Sequence, residues 1–154
     1  NNCCNMFNEM KFTALLNKCA LRDPTVFPAW RVLRLATIDS ARAIGLGDEI
    51  GSLKPGKRAD IILVDATRPA MSPVLLDPVR NIVPNLVYSA NGSEVDTVIV
   101  DGRVIVEEGR LLTVDVKEVV RKAQAAADSL SARVKGSDLI EDSPLAQLTK
   151  KGYM

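Results

Sequence analysis

The chain has 154 residues, of which 47% are hydrophobic and 25% are charged, and its net charge is +1. This length and composition predict an ordinary globular protein with a core of its own. The near-neutral charge argues against a nucleic-acid-binding or membrane-surface protein, and no apolar run reaches the roughly 20 residues that span a bilayer.

The chain contains no histidine. Histidine is the commonest neutral metal ligand and the commonest general base near neutral pH. We therefore expect neither a self-contained metal hydrolase nor a Ser/His/Asp enzyme, and we predict no catalytic, substrate-binding or metal-ligating residue in this chain.

Three cysteines, Cys3, Cys4 and Cys19, lack the CxxC spacing of metal and redox sites, which favours reduced thiols and a cytoplasmic location. The first ten residues are polar, so we expect no signal peptide. Because the chain does not begin with Met, we expect a fragment or a processed product.

The first third of the chain is predicted to be helical. Apolar residues recur at three- and four-residue spacing over residues 5–21, and Asp23-Pro24 ends this helix. Met6, Phe7 and Met10 lie on its apolar side, and we assign them to the core rather than to a pocket.

A second helical stretch begins at Pro28, which suits the first turn of a helix, and is predicted over residues 29–36. Thr37 is then predicted to cap a short helix over residues 38–44. Gly45 would close this helix in a left-handed conformation.

The next segment predicts the β part of the fold. Residues 50–57 indicate a short strand that runs into a tight turn, and residues 59–65 form an apolar run typical of a buried strand. Asp101-Gly102, between apolar runs over 95–100 and 103–107, is a strong signal for a two-residue hairpin loop.

A long excursion over residues 66–94 separates these strands. Asp77-Pro78 is typical of a helix start, with Asp as the N-cap, and predicts a helix to about Tyr88 that Pro84 kinks or splits. Residues 89–93 have the composition of a turn.

After the hairpin, residues 107–110 predict a turn and residues 111–114 a last short strand. Asp115 is predicted to cap a helix over residues 116–134 that Gly136 ends. The tail, residues 135–154, is predicted to be either extended or a short helix that needs a partner.

Several polar groups are candidates for chemistry, and for each we favour a structural interpretation. The basic turn, residues 54–58, reads either as an anion contact or as a solvated hairpin tip, and a single glycine without a helix start makes a poor phosphate cradle. Asp39 and Arg42 suit an ion pair on a helix surface. The adjacent side chains of Cys3 and Cys4 point in divergent directions, which argues against a metal or redox site there. The acids Asp96, Asp101, Glu107 and Glu108 show no pairing that would suit acid/base catalysis.

Two segments resemble a known family. Residues 32–65, VLRLATIDSARAIGLGDEIGSLKPGKRADIILVD, are similar to the C-terminal region of the amidohydrolase superfamily, in which a helix ending in Gly precedes a G-S-L-x-x-G-K-x-A-D strand-turn-strand. Residues 86–110, LVYSANGSEVDTVIVDGRVIVEEGR, resemble its chlorohydrolase and aminohydrolase branch, which includes S-adenosylhomocysteine, methylthioadenosine and 5′-deoxyadenosine deaminases. Residues 1–10 are similar to the stretch after that branch's last metal ligand, although Cys3-Cys4 departs from its usual pattern.

The resemblance covers residues 1–134 and implies a fold that we class as an α+β fragment. The family combines a metal-bearing (β/α)8 barrel with a small β-sandwich built from both chain ends, and its active site lies at the C-terminal ends of the barrel strands. Its metal ligands, an HxH pair, two further histidines and an Asp, would all precede Asn1, so none is carried over to this chain.

The implied organisation assigns residues 1–47 to the last barrel helices, 48–66 and 94–114 to the sandwich, and 67–93 to a helical excursion packed on the barrel. Residues 115–135 form a C-terminal helix and residues 136–154 a tail. The resemblance also implies a divalent metal such as zinc for the whole protein, a small heterocyclic substrate and a homo-oligomer. No cofactor is expected on this chain.

Two functions therefore compete. One is the C-terminal fragment of a metal-dependent aminohydrolase, in which a metal-activated water attacks an amino-bearing ring carbon and ammonia leaves. The other is a non-catalytic, truncated or degenerate structural module, which the absence of histidine favours.

Overall fold

The computed structural model describes residues 4–135 and 143–152. Its elements, in chain order, are α1 (Met6–Leu21), α2 (Ala29–Arg34), a π-helical turn (Leu35–Asp39), α3 (Ser40–Ala43), β1 (Ile61–Val64), a 3-10 turn (Pro69–Met71), α4 (Ile82–Tyr88), β2 (Val95–Val100), β3 (Arg103–Glu107), β4 (Arg110–Leu111), α5 (Val116–Val134) and α6 (Pro144–Lys150). The chain divides into two compact units, Asn1–Thr113 and Val114–Met154.

The core of the first unit lies among α1, α2, the 3-10 turn and α4. Its largest fully buried side chains are Met71, Val32 and Val87. Phe7 and Met10 lie in this core as predicted, whereas Met6 is 56% exposed. The placement of Met6 in the core was therefore wrong.

The first helix begins as predicted. Asn5 is its N-cap, and the Asn5 side chain accepts hydrogen bonds from the backbone N–H groups of Phe7 (2.9 Å) and Asn8 (3.3 Å). These bonds satisfy two of the N–H groups that a helix start leaves without an internal partner.

The helix breaks at Thr37 as predicted, since Thr37 has non-helical φ −129 and ψ −106 and a kink there separates α2 from α3. The predicted capping role of Thr37 was wrong, because its hydroxyl donates to the carbonyl oxygen of Leu33 at 2.7 Å. A Thr hydroxyl can bond either to a following N–H or to a preceding carbonyl, and here it bonds to the preceding carbonyl. Gly45 follows α3 with φ +80, as predicted for the residue after a helix end.

The helix expected from Asp77 begins only at Ile82, so this prediction was wrong. The side chain of Asn81 holds the preceding loop: its Oδ1 accepts from the N–H of Leu75 (2.8 Å) and its Nδ2 donates to the carbonyl oxygen of Pro73 (2.9 Å). Pro84 falls in the first turn of α4, where a missing N–H breaks no helical hydrogen bond. Pro84 therefore neither kinks nor splits the helix.

Four strands form one antiparallel sheet in the order β1-β2-β3-β4. Val100 pairs with Arg103 across the predicted hairpin, and both loop residues have positive φ, +50 at Asp101 and +77 at Gly102. The two-residue loop is thus confirmed. β4 is shorter than the strand predicted over residues 111–114, since it covers only Arg110–Leu111.

The start of the β part differs from the prediction in two ways. Residues 50–57 form bends and a turn rather than a strand. β1 is a strand, but Ile62 and Leu63, which point to opposite faces, are 50% and 52% exposed. β1 is therefore open on both faces in the described part of the chain and is not the buried strand that its apolar run predicted.

The second unit contains α5 and α6. Asp115 caps α5 by accepting hydrogen bonds from the N–H groups of Lys117 and Glu118, and α5 ends at Val134 as predicted. Gly136, the predicted terminator, lies outside the described residues. Ser143 caps α6, the short helix that was one of two options for the tail. No helix among the described residues is both long and apolar enough to cross a membrane.

Candidate functional site

The basic turn over residues 54–58 borders a recess of about 540 Å³ that Arg34, Arg42 and Ser52 also line. Lys57 does not extend into solvent as a hairpin-tip lysine would. Its Nζ donates to the carbonyl oxygens of Gly47 and Ile50, the second at 3.1 Å. Lys57 therefore holds the 47–50 loop against the turn.

The backbone reinforces this contact. The N–H of Arg58 donates to the carbonyl oxygen of Glu49 at 2.9 Å. An added Cβ at Gly51 would lie 2.7 Å from the Cβ of Ala41 and 2.9 Å from the Cα of Ile38, so only glycine lets the loop pass so close to the π-helical turn and α3. The basic turn is therefore neither simply an anion contact nor simply a solvated hairpin tip, because the ammonium group of Lys57 binds two backbone carbonyl oxygens of the 47–50 loop.

Asp39 and Arg42 belong to a larger charge cluster than the predicted pair. The carboxylate of Asp39 lies 3.1 Å from Arg31, 2.8 Å from Arg34 and 3.9 Å from Arg42. The Asp39 side chain is only 18% exposed, whereas the three arginines are at least half exposed. Ion pairs of this kind on a surface stabilise a fold weakly. The cluster joins α2 to the segment that follows the kink at Thr37.

A buried carboxylate, which the sequence analysis missed, organises the loop before β2. Glu94 is 2% exposed, and its Oε2 accepts hydrogen bonds from the N–H groups of Asn91 (3.1 Å) and Gly92 (3.0 Å). Its Oε1 accepts from the hydroxyl of Ser93 at 3.3 Å. Burial raises the pKa of Glu94, but the backbone N–H donors lower it by more, so the net shift is downward and the group stays ionised.

This loop also contacts the start of the chain. The Nδ2 of Asn5 donates to the carbonyl oxygen of Asn91 at 2.6 Å, across 86 residues. An acid within a turn-forming run, immediately before an apolar strand, is the sequence signal that could have identified Glu94. No local signal connects that run to Asn5.

The remaining candidates are not brought together into a site. Cys4 and Cys19 are exposed free thiols, and Cys3 lies outside the described residues. Asp101 pairs with Arg58 at 3.1 Å, and Asp96 bonds to the adjacent Thr97. Glu107 and Glu108 are exposed.

The donor groups present do not fit a catalytic metal. Among residues 4–135 and 143–152, no three His, Cys, Asp or Glu side chains lie close enough together to hold an ion. The chain has no histidine to supply the nitrogen ligands of a catalytic zinc site.

Comparison with known proteins identifies the family and several relatives of this chain. The model of the amidohydrolase family matches residues 1–105. The chain is 43% identical over 134 residues to a 5′-deoxyadenosine deaminase of Methanosarcina mazei, and 48% identical over 130 residues to a 5-methylthioadenosine/S-adenosylhomocysteine deaminase of Desulforudis audaxviator. These alignments cover 87% and 84% of the chain but only 29% of each relative, so the chain spans less than a third of their length.

Solved structures also match most of this chain with only part of their own length. A zinc-bound adenosine deaminase from Xanthomonas campestris superimposes with a TM-score of 0.75 at 33% identity, over 82% of this chain and 28% of that one. A zinc complex of atrazine chlorohydrolase from Arthrobacter aurescens gives a TM-score of 0.65 at 26% identity, over 77% and 25% of the two chains.

Proposed function

Because this chain belongs to the amidohydrolase family, we propose that it is the C-terminal part of a metal-dependent aminohydrolase that deaminates an adenosine-type nucleoside or a related heterocycle. The observation that carries the proposal is the identity of 43–48% to deaminases over more than four fifths of the chain, together with the 29% of their length that it spans. The remaining 70% or so of such a protein would then lie outside this sequence.

The residues present indicate which functional groups of such an enzyme lie in this chain and which lie outside it. Since the described acids do not converge and histidine is absent, we place the metal ligands, the catalytic groups and the substrate pocket outside this chain. When bound, the metal of such an enzyme lowers the pKa of a water molecule and so supplies the nucleophile. We assign this chain a structural share: α1 to α4 as helices of the barrel and its excursion, and the four strands as part of a composite sandwich.

The half-exposed faces of β1 support this assignment. A strand with apolar residues on both faces is typical of a position that is covered on both sides. The exposure of Ile62 and Leu63 is explained if further parts of a longer protein pack there.

The alternative is a stand-alone structural module without chemistry. The absence of histidine favours it for this polypeptide taken alone. The reading frame before Asn1 separates the two proposals, since an in-frame barrel segment with an HxH pair supports the enzyme and an interrupted frame supports the module.

The direct test is turnover. We expect a longer protein with this C-terminal part to release ammonia from 5′-deoxyadenosine, methylthioadenosine or S-adenosylhomocysteine when zinc is present. Residues 1–154 alone, assayed in parallel with added zinc, should not exceed a metal-only blank. Turnover by residues 1–154 would contradict the placement of the catalytic groups outside this chain, and an inactive longer protein with an intact HxH pair would contradict the deaminase proposal.

A further inference from the structure

The loop before β2 contains an asparagine that is followed directly by a glycine, Asn91-Gly92. In such a pair the backbone nitrogen of the glycine can attack the side-chain carbonyl carbon of the asparagine, because glycine has no side chain to hinder the approach. A bond forms between Cγ of Asn91 and the nitrogen of Gly92, and the bond from Cγ to Nδ2 breaks. Nδ2 leaves as ammonia with the proton from Gly92, and water then opens the cyclic imide to aspartate or isoaspartate. Asn91 can therefore deamidate without an enzyme.

In the folded chain, hydrogen bonds hold both reacting groups. The N–H of Gly92, which would have to lose its proton, donates to Oε2 of Glu94 at 3.0 Å. The same oxygen accepts from the N–H of Asn91 at 3.1 Å. The side-chain oxygen of Asn91 accepts from the N–H of Ser93 at 3.0 Å. The attacking nitrogen and the side chain that it would attack are thus each fixed by a bond of their own.

The bond from Gly92 to Glu94 opposes the reaction. A carboxylate that promoted it would have to act as a general base, and an efficient base has a pKa near the working pH. Burial raises the pKa of Glu94, but the backbone N–H donors lower it by more, so Glu94 is a weak base at neutral pH. The imide nitrogen carries no hydrogen. Cyclisation would therefore deprive a carboxylate that is only 2% exposed of one of its donors, which is unfavourable.

We propose that Asn91-Gly92 is a latent deamidation site and that Glu94 keeps it from reacting as long as the loop is folded. The reacting atoms and the groups that restrain them all lie within residues 91–94. Neither the second unit nor any further part of a longer protein is needed for this protection. The protection is also independent of the proposed deaminase activity.

Deamidation would change the contact between this loop and α1. Nδ2 of Asn5, the N-cap residue of α1, donates to the backbone carbonyl oxygen of Asn91 at 2.6 Å. The backbone at Gly92 packs beside the ring of the core residue Phe7, since a Cβ added at Gly92 would lie 3.6 Å from that ring. Isoaspartate carries the side-chain methylene in the backbone and would displace both contacts. We therefore expect the modified chain to melt at a lower temperature than the unmodified chain.

The experiment measures the rate at which Asn91 deamidates in residues 1–154 near neutral pH, by mass spectrometry of the peptide that contains it. Water enriched in a heavy oxygen isotope labels only the product that forms during the incubation. The denatured chain gives the rate without restraint. We expect the folded wild-type chain to react at least about tenfold more slowly, because a hydrogen bond to a charged group corresponds to a factor of that size.

Variants separate the role of Glu94 from that of overall stability. Glu94→Ala removes the acceptor and should raise the rate in the folded chain at least about tenfold. Glu94→Gln keeps an acceptor oxygen without its charge, so its rate should lie between those of Glu94→Ala and wild type, and it serves as the second variant if Glu94→Ala does not fold. Gly102→Val strains a loop with φ +77 and leaves residues 91–94 unchanged. It is the control for lost stability and should react at the wild-type rate.

Three results would each overturn the proposal. They are a folded wild-type chain that reacts as fast as the denatured chain, no rise in rate in any folded Glu94 variant, and an equal rise in Gly102→Val. A slower reaction in Glu94→Ala than in wild type would show that Glu94 acts as a base and promotes deamidation.

Discussion

Glu94 illustrates how much one buried side chain can organise. Its carboxylate collects two backbone N–H groups and a hydroxyl from residues 91–93, and Asn5 contacts the same loop. Removing an acceptor from such a loop leaves buried donors without partners, which costs more than a surface interaction contributes.

We expect Glu94→Gln to destabilise the fold by about 1–3 kcal/mol at pH 7, because the amide NH₂ would face an N–H donor in place of an ionised oxygen. Since the folded pKa of Glu94 is lowered, its charge stabilises the fold above the ordinary value of 4.5 and this contribution is lost as pH falls through the folded pKa. The difference from wild type should therefore shrink below about pH 4.5. Denaturant unfolding at pH 7 and at pH 3 to 4 measures it.

Glu107→Gln is the matched control, since Glu107 is exposed on β3. It should change stability by less than about 0.5 kcal/mol at either pH. If the difference in unfolding free energy between Glu94→Gln and wild type is the same at both pH values, the charge of Glu94 does not contribute to stability.

At the scale of elements, signals within a few residues of sequence predicted the fold well. Asp101-Gly102 predicted a hairpin loop with two positive φ angles, and Asp115 predicted the start of α5. The first depends on the backbone conformation of the two loop residues, and the second on hydrogen bonds that the Asp115 side chain accepts from N–H groups two and three residues further on. Thr37 marks a break as predicted but does not cap α3, because its hydroxyl donates to the carbonyl oxygen of Leu33. Asp77 does not start a helix, because Asn81 holds the preceding loop. A local rule does not include such competing partners.

The contacts of the candidate site could not be predicted from short sequence segments. Lys57 bonds to carbonyl oxygens seven and ten residues away, and Asn5 reaches Asn91 across 86 residues. Such bonds depend on how the elements pack, which no motif in either segment encodes.

The hairpin loop gives an element-scale prediction. An added Cβ at Gly102 would meet no atom within 4 Å, so a substitution there is opposed by backbone conformation alone. We expect Gly102→Val to destabilise the fold by about 1–2 kcal/mol, the cost of the left-handed conformation for a residue with a side chain. Thermal unfolding measures this.

Gly56 offers a control with a similar φ of +85 and equally open space. It lies in the basic turn outside the sheet, so Gly56→Val should show a similar strain without loss of strand pairing. An unchanged melting temperature for Gly102→Val would contradict the turn geometry. In the proposed longer enzyme, turnover per folded molecule should stay unchanged.

At the scale of the whole molecule, the described residues of the first unit form a compact helical core and a sheet with apolar residues on open surfaces. Ile62, Leu63, Val100 and Val104 are 44–52% exposed. Exposed apolar faces and an unpaired β1 edge are typical of surfaces that another segment covers.

We expect residues 1–154 alone to bind a hydrophobic dye, and Ile62→Thr to lower that binding with little change in melting temperature, because the side chain is already half exposed. In the proposed longer protein the same change should cost about 1–2 kcal/mol, since a covered polar group lacks a partner. Val79→Thr, at a 63% exposed position outside the sheet, is the control. It should neither lower dye binding by residues 1–154 nor destabilise the longer protein. Low dye binding by residues 1–154 would show that the sheet faces are not open.

The order of the strands has a consequence for how the chain is made. β2, β3 and β4 are joined by two-residue loops and can pair as soon as they are synthesised. Within the part of the chain that the structure describes, β1 pairs only with β2, and residues 65–94 separate the two strands. The apolar run of β1 therefore leaves the ribosome before its partner exists. A nascent strand in that position is open to binding by chaperones or by other unfolded chains until residue 100 has emerged. Asp60 and Asp65 flank the run, and their charges would hinder its aggregation during that interval.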